Sequence, residues 1–267
     1  MFEVSGVVAG NIPYSLLKFS GGELHPKLLK NINGRETAIH IHGNITSSDD
    51  LMELALLVDA LRRSAVPCPP ITASIPYFPY ARQDRACAQG ESLAVKVACD
   101  FINSLNFVSV EVWDAHSDVT TALLNRSINR HQKEFVSRIK WQNTVLVAPD
   151  AGAIKKILEI AKLTSMSVVR ADKIRSVEDG SITGTVVYSE HIGNKDFLIA
   201  DDICDGGRTF IELAKVLRPL TTGKIYLYVT HGIFSKGLDV FNGLIDGVYT
   251  ANPFPDVDIS HKLLTII

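Results

Sequence analysis

The chain has 267 residues, of which 46% are apolar and 21% are charged, and its formal net charge is −2 at pH 7. These values are typical of a globular protein with a sizeable core, and they give no support to a nucleic-acid or membrane-surface partner. No apolar run approaches the roughly 20 residues that a membrane-spanning helix needs. We therefore expect a protein with neither a nucleic-acid nor a membrane partner.

The N-terminal residues and the cysteines bear on the compartment. Met1 to Gly6 contain neither the basic nor the apolar segment of an export signal. The cysteines Cys68, Cys87, Cys99 and Cys204 show no metal-ligand spacing. Because reduced thiols are the default inside the cell, we expect a cytoplasmic protein with free cysteines.

The first half of the chain alternates strand and helix patterns. Gly21 and Gly22 indicate a turn, and Glu23 follows it as the first acid. Strand patterns cover Thr37 to His42, Ile71 to Ile75 and Val108 to Trp113, and helix patterns begin at Ser47 and run from Glu91 to Leu105. His40 and His42 share one strand face, but no third metal ligand lies nearby in the sequence, so we expect a structural role for them.

A loop rich in prolines and aromatic residues follows the strand Ile71 to Ile75 and ends in Arg82, Gln83, Asp84 and Arg85. Arginine side chains form paired hydrogen bonds with phosphate oxygens, which predicts a phosphate-binding loop. A solvated charge cluster explains the same residues equally well.

Two further strand patterns end in acidic residues. Asp114 and His116 follow Trp113, and Asp150 follows the strand Thr144 to Ala148. Because the carboxyl ends of parallel strands form the ligand crevice of an α/β sheet, we expect Asp114, His116 and Asp150 to converge. Their oxygen and nitrogen atoms would suit a Mg²⁺ ion that holds nucleotide phosphates.

The segment after Val169 contains a second pair of cations. Lys173 and Arg175 are two residues apart, which places both side chains on the same side of an extended segment. Such cations could neutralise a phosphoryl group in a transition state. A plain surface loop is the alternative.

One later stretch combines an acid pair with a glycine turn. The apolar run Phe197 to Ala200 leads into Asp201 and Asp202, where we expect the strand to end. The turn Asp205, Gly206, Gly207, Arg208 and Thr209 then precedes a helix pattern, so backbone N–H groups and the helix N-terminus could hold a phosphate. The two carboxylates could hydrogen-bond the hydroxyls of a ribose. The alternative is an ordinary strand, turn and helix with solvated acids.

This stretch resembles the ribose-5-phosphate loop of the type I phosphoribosyltransferase superfamily. Five further motifs occur in the order found in the ribose-phosphate diphosphokinase family, also called phosphoribosyl pyrophosphate synthetases, and the resemblance runs from about Lys18 to Ser235. The motifs are Phe19 to Glu23, Ile75 to Arg85, Asp114 to His116, Pro149 to Gly152 and Asp172 to Arg175.

The resemblance implies an α/β fold of two tandem type I phosphoribosyltransferase-like domains, each a mostly parallel sheet flanked by helices. We expect residues 1–130 to form the N-terminal domain with the ATP-binding loop. Residues 131–267 would form the C-terminal domain with the ribose 5-phosphate loop. The C-terminal tail is a candidate to return to the N-terminal domain.

The resemblance also implies transfer of the β,γ-diphosphoryl group of ATP to the C1 hydroxyl of ribose 5-phosphate, with AMP as the second product. ATP would be bound by Arg82, Gln83, Asp84 and Arg85, with Glu23 from a neighbouring subunit of a homo-oligomer, either a dimer or a hexamer. Metal ligands would be His116, Asp114 and Asp150, holding Mg²⁺. Catalytic cations would be Lys173 and Arg175. The sugar phosphate would be bound by Asp201, Asp202, Asp205, Gly206, Gly207, Arg208 and Thr209.

Several positions depart from the family pattern. Gly21 stands where the family usually has Asp, which leaves the nucleotide preference open, and Ala151 replaces a common His. Two alternatives to a diphosphokinase follow from the residues: a nucleobase phosphoribosyltransferase, and an inactive regulatory homologue of the synthetase. The motif Arg82 to Arg85 argues against the first, and Lys173 and Arg175 argue against the second.

Overall fold

A computed structural model describes every residue except 33–35 and 176–181, and it leaves the side chains of residues 173–175 and 182–183 undescribed. The chain divides into two compact units, Met1–Arg130 (unit 1) and His131–Ile267 (unit 2).

Unit 1 contains eight strands and three helices among its described residues. The strands are β1 (Glu3–Gly6), β2 (Gly10–Asn11), β3 (Tyr14–Lys18), β4 (Leu24–Leu28), β5 (Ile39–His42), β6 (Ile71–Ile75), β7 (Val110–Trp113) and β8 (Ser127–Arg130). The helices are α1 (Ser48–Ser64), α2 (Ala94–Ser104) and α3 (Asp118–Leu123).

Six strands of unit 1 form one sheet in the order β2-β1-β5-β6-β7-β8, while β3 and β4 form a separate hairpin. The neighbours β5, β6, β7 and β8 pair in parallel, and β1 pairs antiparallel with β5. The buried apolar side chains of β5, β6 and β7 lie on one face, at the alternate positions that start from Ile39, Ile71 and Val110. That face and all three described helices of the unit contribute to a single core.

Helix α1 begins where its sequence signals predict. The Ser47 hydroxyl accepts a hydrogen bond from the Asp50 backbone N–H, and the Asp50 carboxylate accepts one from the Ser47 backbone N–H. This reciprocal cap satisfies N–H groups that the first turn of a helix otherwise leaves unpaired. Arg62 and Arg63 lie in the last turn, where the helix dipole favours cations.

Unit 2 contains seven strands and three α-helices among its described residues. The strands are β9 (Thr144–Ala148), β10 (Val168–Arg175), β11 (Ile182–Val187), β12 (Asp196–Cys204), β13 (Ile225–Gly232), β14 (Gly247–Pro253) and β15 (Leu264–Ile266). The helices are α4 (Gln132–Val136), α5 (Ile154–Thr164) and α6 (Arg208–Leu217), with short 3-10 turns at Arg218–Leu220 and Asp239–Phe241.

The seven strands of unit 2 form a sheet in the order β11-β10-β9-β12-β13-β14-β15. All neighbours pair in parallel except β10 and β11. Successive residues Phe197, Leu198, Ile199 and Ala200 of β12 are all fully buried, so this central strand is covered on both faces. The C-terminal strand β15 pairs with β14 in the same unit.

The predicted α/β class with largely parallel sheets is confirmed in both units. The strands Ile71–Ile75 and Thr144–Ala148 have the predicted bounds. The prediction that the central strand of unit 2 ends at its acid pair is wrong, because β12 continues through Asp201 and Asp202 to Cys204. Backbone pairing of Ile203 with His231 extends the strand past the two acids.

The four cysteines differ in accessibility. Cys99 and Cys204 are fully buried, and burial raises the pKa of the Cys99 thiol to about 12 and that of Cys204 well above its usual range. Cys68 is partly buried, and burial raises its pKa too, whereas Cys87 is exposed. In the described part of the chain, every helix is too short or too polar to cross a membrane.

Candidate active site

The hairpin of β3 and β4 presents Glu23 at its turn. The Phe19 N–H donates to the Glu23 carbonyl at 2.8 Å, and Gly22 has a φ of +98°, which glycine adopts without strain. A Cβ on Gly21 would lie 2.5 Å from the nearer Glu23 carboxylate oxygen. Glycine at position 21 therefore leaves space for the Glu23 carboxylate to fold over the turn.

The loop Arg82–Arg85 lies between β6 and α2, and both the N–H and the carbonyl of Gln83 hold its backbone in place. The Gln83 N–H donates to the Tyr80 carbonyl at 2.9 Å, and the Gln83 carbonyl accepts from the Val95 N–H at 3.3 Å. The side chains of Arg82, Gln83 and Arg85 are exposed.

Asp84 connects this loop to the segment after β7. Burial raises the pKa of Asp84, but the nearby Ser117 hydroxyl, hydrogen bonding with Arg85 and the charge of His116 together outweigh burial and lower that pKa below its usual value. The structure therefore brings Asp84 close to His116, which the sequence separates by a helix and a strand.

Asp114 occupies a constrained position at the end of β7. Asp114 is 2% exposed, its φ is +43°, and its N–H donates to the Arg130 carbonyl at 2.7 Å. Positive φ is uncommon outside glycine and is frequent at functional sites. The backbone of β8 thus holds Asp114 in place.

Unit 2 places three carboxylates near one another where β12 passes through Asp201 and Asp202. Burial, followed by repulsion from Asp202 and Asp150, raises the pKa of Asp201 well above its usual value. Lys156 of α5 donates to a carboxylate oxygen of Asp202 at 3.3 Å, and Asp202 is 6% exposed. Asp150 accepts a hydrogen bond from the Ala153 N–H at 3.1 Å, which fixes it at the start of α5. The site thus brings three carboxylates together with the ammonium group of Lys156.

The phosphate loop, Asp205–Thr209, turns sharply into α6. Gly207 has a φ of +77°, and a Cβ there would lie 2.7 Å from the ring of Phe241, which is fully buried. Only glycine fits this turn without strain or displacement of the ring. Helix α6 begins at Arg208, so Arg208 and Thr209 lie in its first turn, where free N–H groups favour anions.

The predicted metal ligands belong to different units: Asp114 and His116 to unit 1, and Asp150 to unit 2. Among the described residues, no group of three His, Cys, Asp or Glu side chains is arranged to hold a metal ion. Their convergence is therefore still a prediction. The predicted catalytic pair Lys173 and Arg175 lies at the end of β10, and its side chains fall outside the described residues.

Two residues of this region were not found from the sequence. Lys156 could have been suspected, because it lies in the first turn of a helix that starts soon after the carboxyl end of β9. Ser235, whose hydroxyl donates to an Asp205 carboxylate oxygen at 2.6 Å, carries no local signal. Its contact depends on β12 and β13 being neighbours in the sheet.

Comparisons with known proteins identify relatives of this chain. Residues 7–105 match the family described as the N-terminal domain of ribose phosphate pyrophosphokinase. The chain is similar to the ribose-phosphate pyrophosphokinase of Mycoplasma pneumoniae, with 30% identity over 89% of this chain and 75% of that protein. The Shewanella oneidensis ribose-phosphate pyrophosphokinase is also 30% identical, over 89% of this chain and 77% of that protein.

A solved structure supports the fold. The phosphoribosylpyrophosphate synthetase of Mycobacterium smegmatis superposes with a TM-score of 0.77 at 20% identity, covering 96% of this chain and 86% of that one. The sequence relatives establish the family, and this superposition extends the common fold across both units. The chain belongs to the ribose-phosphate pyrophosphokinase family.

Proposed function

We propose that this protein transfers the β,γ-diphosphoryl group of ATP to the C1 hydroxyl of ribose 5-phosphate, giving 5-phosphoribosyl 1-pyrophosphate and AMP. The observation that carries the proposal is the last part of β12, where half-buried Asp201 and buried Asp202 lie shortly before a phosphate loop and a helix N-terminus. Acids for the sugar hydroxyls and N–H groups for the 5-phosphate are thereby adjacent in one segment.

Asp201 and Asp202 would accept hydrogen bonds from the ribose hydroxyls. The raised pKa of Asp201 makes it a better hydrogen-bond acceptor than an ordinary carboxylate once it is ionised. Its position suits orientation of the sugar and polarisation of the attacking O1 hydroxyl. Asp205, Gly206, Gly207, Arg208 and Thr209 would surround the 5-phosphate.

The nucleotide would be bound by unit 1. Arg82, Gln83 and Arg85 are exposed, and Asp84 lies beside His116. Glu23 would reach the nucleotide of a neighbouring copy, which makes a homo-oligomer part of the proposal. The exposed hairpin that carries Glu23 supports this assignment.

Mg²⁺ fits the donor set in chemical terms. Asp150, Asp201 and Asp202 place three carboxylates at one site, where burial and then repulsion from Asp202 and Asp150 raise the pKa of Asp201. Mg²⁺ is usually held by one or two carboxylates together with substrate phosphates, so a complete protein cage is not required. We propose Asp114, His116 and Asp150 as ligands, and a bound ion would neutralise the phosphate charge that develops during transfer.

The chemical step forms a bond between ribose O1 and the β-phosphorus and breaks the bond from that phosphorus to the oxygen that AMP retains. Such transfers depend mostly on positioning and charge neutralisation. Lys173 and Arg175 would supply the cations for the transferring group. We also assign the protein to the cytoplasm, which its four free thiols support.

The test measures AMP release from ATP, Mg²⁺ and ribose 5-phosphate, and transfers the product to a phosphoribosyltransferase that consumes it. We expect AMP and the consumed product to form in a one-to-one ratio. Absence of AMP above a sugar-free control refutes the proposal. A parallel reaction with adenine and 5-phosphoribosyl 1-pyrophosphate detects a nucleobase phosphoribosyltransferase instead, and GTP and CTP test the nucleotide preference.

The variant Lys173→Ala tests the assigned catalytic cation. We expect turnover to fall by about 100-fold or more with little change in ATP affinity, because the contact forms in the transition state. Lys195→Ala, an exposed lysine of the same unit, is the charge-matched control. Parallel loss of ATP binding and turnover would place Lys173 in ground-state recognition.

A further inference from the structure

A second loop of unit 2, the facing loop Ile233–Gly237, is joined to the phosphate loop by backbone hydrogen bonds. The Cys204 carbonyl accepts from the Ile233 N–H at 2.9 Å and from the Phe234 N–H at 3.1 Å. The Ser235 N–H donates to the Asp205 carbonyl at 3.2 Å, and its hydroxyl donates to the Asp205 carboxylate at 2.6 Å. The facing loop is thereby held against the residues that begin the phosphate loop.

Lys236 is the next residue of the facing loop, and its side chain lies across Gly206. Its Cγ atom is 3.4 Å from the position that a Cβ of Gly206 would occupy. Lys236 is exposed, so its aliphatic stem lies on the phosphate loop while the ammonium group extends into solvent. Within the described part of the chain, that ammonium group has neither a hydrogen bond nor an ion pair.

The turn that presents Lys236 is well defined. The Gly237 N–H donates to the Phe234 carbonyl at 2.7 Å, and Gly237 has a φ of +71°. The Phe234 ring stacks edge-on against Phe241 at 6.4 Å between centroids, and Phe241 also lies under Gly207 of the phosphate loop. Both loops therefore rest on the same buried ring, which fixes the position of Lys236 relative to the phosphate loop.

We propose that Lys236 is a further phosphate-binding residue, whose ammonium group contacts the 5-phosphate held by the phosphate loop. The inference rests on the proposed function and deepens it. The phosphate loop provides N–H donors and Arg208, but Asp205 places a negative charge beside the same phosphate. Lys236, which lies beside Gly206, offsets that charge. Lysine is a common phosphate ligand because its ammonium is a compact point charge.

The position of Lys236 also predicts which kinetic constant it controls. Its contact is with the 5-phosphate, far along the sugar from the C1 hydroxyl that reacts. Such a contact is the same in the ground state and the transition state, so it lowers KM and leaves kcat unchanged. Lys236 would therefore act in selecting the phosphorylated sugar.

The experiment compares Lys236→Ala with the unmodified protein in steady-state kinetics. We expect KM for ribose 5-phosphate to rise about tenfold, the scale of one charge-assisted contact, with kcat within about twofold and KM for ATP unchanged. Lys236→Arg should restore most of the affinity. Lys224→Ala is the matched control, because Lys224 is also exposed but lies at the opposite end of β13.

Direct binding separates this inference from the proposed function. Ribose 5-phosphate is titrated calorimetrically into each variant without ATP, and weaker binding by Lys236→Ala than by Lys224→Ala supports the inference even if no AMP forms. Absence of AMP formation by the unmodified protein overturns the proposed function. Equal affinity of Lys236→Ala and the unmodified protein overturns the role of Lys236 and leaves the reaction unaffected.

Discussion

The sheets of the two units differ in how many of their faces are covered. In β12 of unit 2, Leu198 and Ile199 point to opposite faces, and both are fully buried. In β5 of unit 1, Ile39 and Ile41 are buried, whereas His40 is exposed and His42 is only partly buried. In the described part of the chain, this second face of β5 therefore carries polar side chains that stay at least partly exposed.

Side chains on this polar face of the unit 1 sheet form hydrogen bonds with one another. Glu111 accepts hydrogen bonds from Trp113 Nε1 at 3.0 Å and Arg130 Nε at 2.8 Å, and His40 Nδ1 lies 2.9 Å from the Thr72 hydroxyl. His40 and His42 stack with their ring centroids 6.5 Å apart. The structural role expected for the two histidines agrees with these contacts.

The largest expected effect comes from truncating adjacent residues in each central strand. Leu198→Ala and Ile199→Ala should each lower the free energy of unfolding by about 3 kcal/mol, because both leave cavities in a packed core. In β5 of unit 1, Ile41→Ala should lower the free energy of unfolding by a similar amount, whereas His40→Ala should change that free energy by only about 0.5 kcal/mol. Urea denaturation followed by circular dichroism measures all four variants.

An equal loss for His40→Ala and Ile41→Ala would contradict the comparison. It would mean that something covers the polar face in solution. Repeating the measurement across a range of protein concentrations separates coverage by a second copy from packing within the chain, since only the former depends on concentration.

A pair of glycines extends the comparison to turns. Gly207→Ala should destabilise the protein by about 2–3 kcal/mol, because it adds backbone strain at a φ of +77° to a clash with the Phe241 ring. Gly10 in unit 1 has a φ of +63° with no atom within 4 Å of its Cβ position, so Gly10→Ala should cost about 1 kcal/mol of strain alone. Thermal unfolding distinguishes the two.

Relief of the clash provides the control. Phe241→Leu combined with Gly207→Ala should recover part of the stability lost by Gly207→Ala, because a smaller side chain leaves room for the new methyl group. Additive losses in the double variant would show that the contact between the two residues is not the cause. The KM for ribose 5-phosphate, measured in parallel, reports whether the phosphate loop keeps its shape.

The smallest expected effect is a pH dependence of opposite sign in the two units. Burial favours neutral Glu111, but hydrogen bonds from Trp113 and Arg130 outweigh burial and lower its pKa, whereas burial and repulsion from Asp202 raise the pKa of Asp201. Glu111 therefore contributes stability above its unfolded pKa, and that stability is lost as pH falls through the folded value. Asp201 does the reverse, since protonation on lowering the pH through its folded pKa stabilises the folded state.

Isosteric amides test this sign. Near neutral pH and without Mg²⁺, Glu111→Gln should lower stability by about 1 kcal/mol and Asp201→Asn should raise it by about 1 kcal/mol. Both differences should shrink in acid, where the carboxyl groups of the unmodified protein are protonated. Melting temperatures measured at a series of pH values check this, and a destabilising Asp201→Asn at neutral pH would contradict the inferred repulsion.

Much of the fold could be predicted because it is encoded locally. The strands β6 and β9 are short apolar runs bounded by proline or polar residues, and their bounds match the structure. Helix α2 begins at Ala94 and not at the predicted Glu91, because the Glu91 carboxylate instead accepts hydrogen bonds from the Cys87 and Ala88 N–H groups. A capping choice of this kind depends on geometry that composition does not reveal.

The candidate site was predictable only in part for the same reason. The acid pair and the phosphate loop lie in one continuous segment, so their types and order indicate their chemistry. Lys156, Ser235 and Lys236 reach that segment through neighbouring strands or a helix, and their contacts depend on sheet order. The convergence of Asp114 and His116 of unit 1 with Asp150 of unit 2 likewise depends on tertiary structure and is still a prediction.

The unequal accessibility of the four thiols has a practical consequence for following ligand binding. Cys99 and Cys204 are sealed in the interior and carry raised pKa values, so a maleimide dye at neutral pH should react chiefly at Cys87. Cys87 comes two residues after Arg85. A single fluorophore could therefore be attached next to the proposed nucleotide loop without first removing any cysteine.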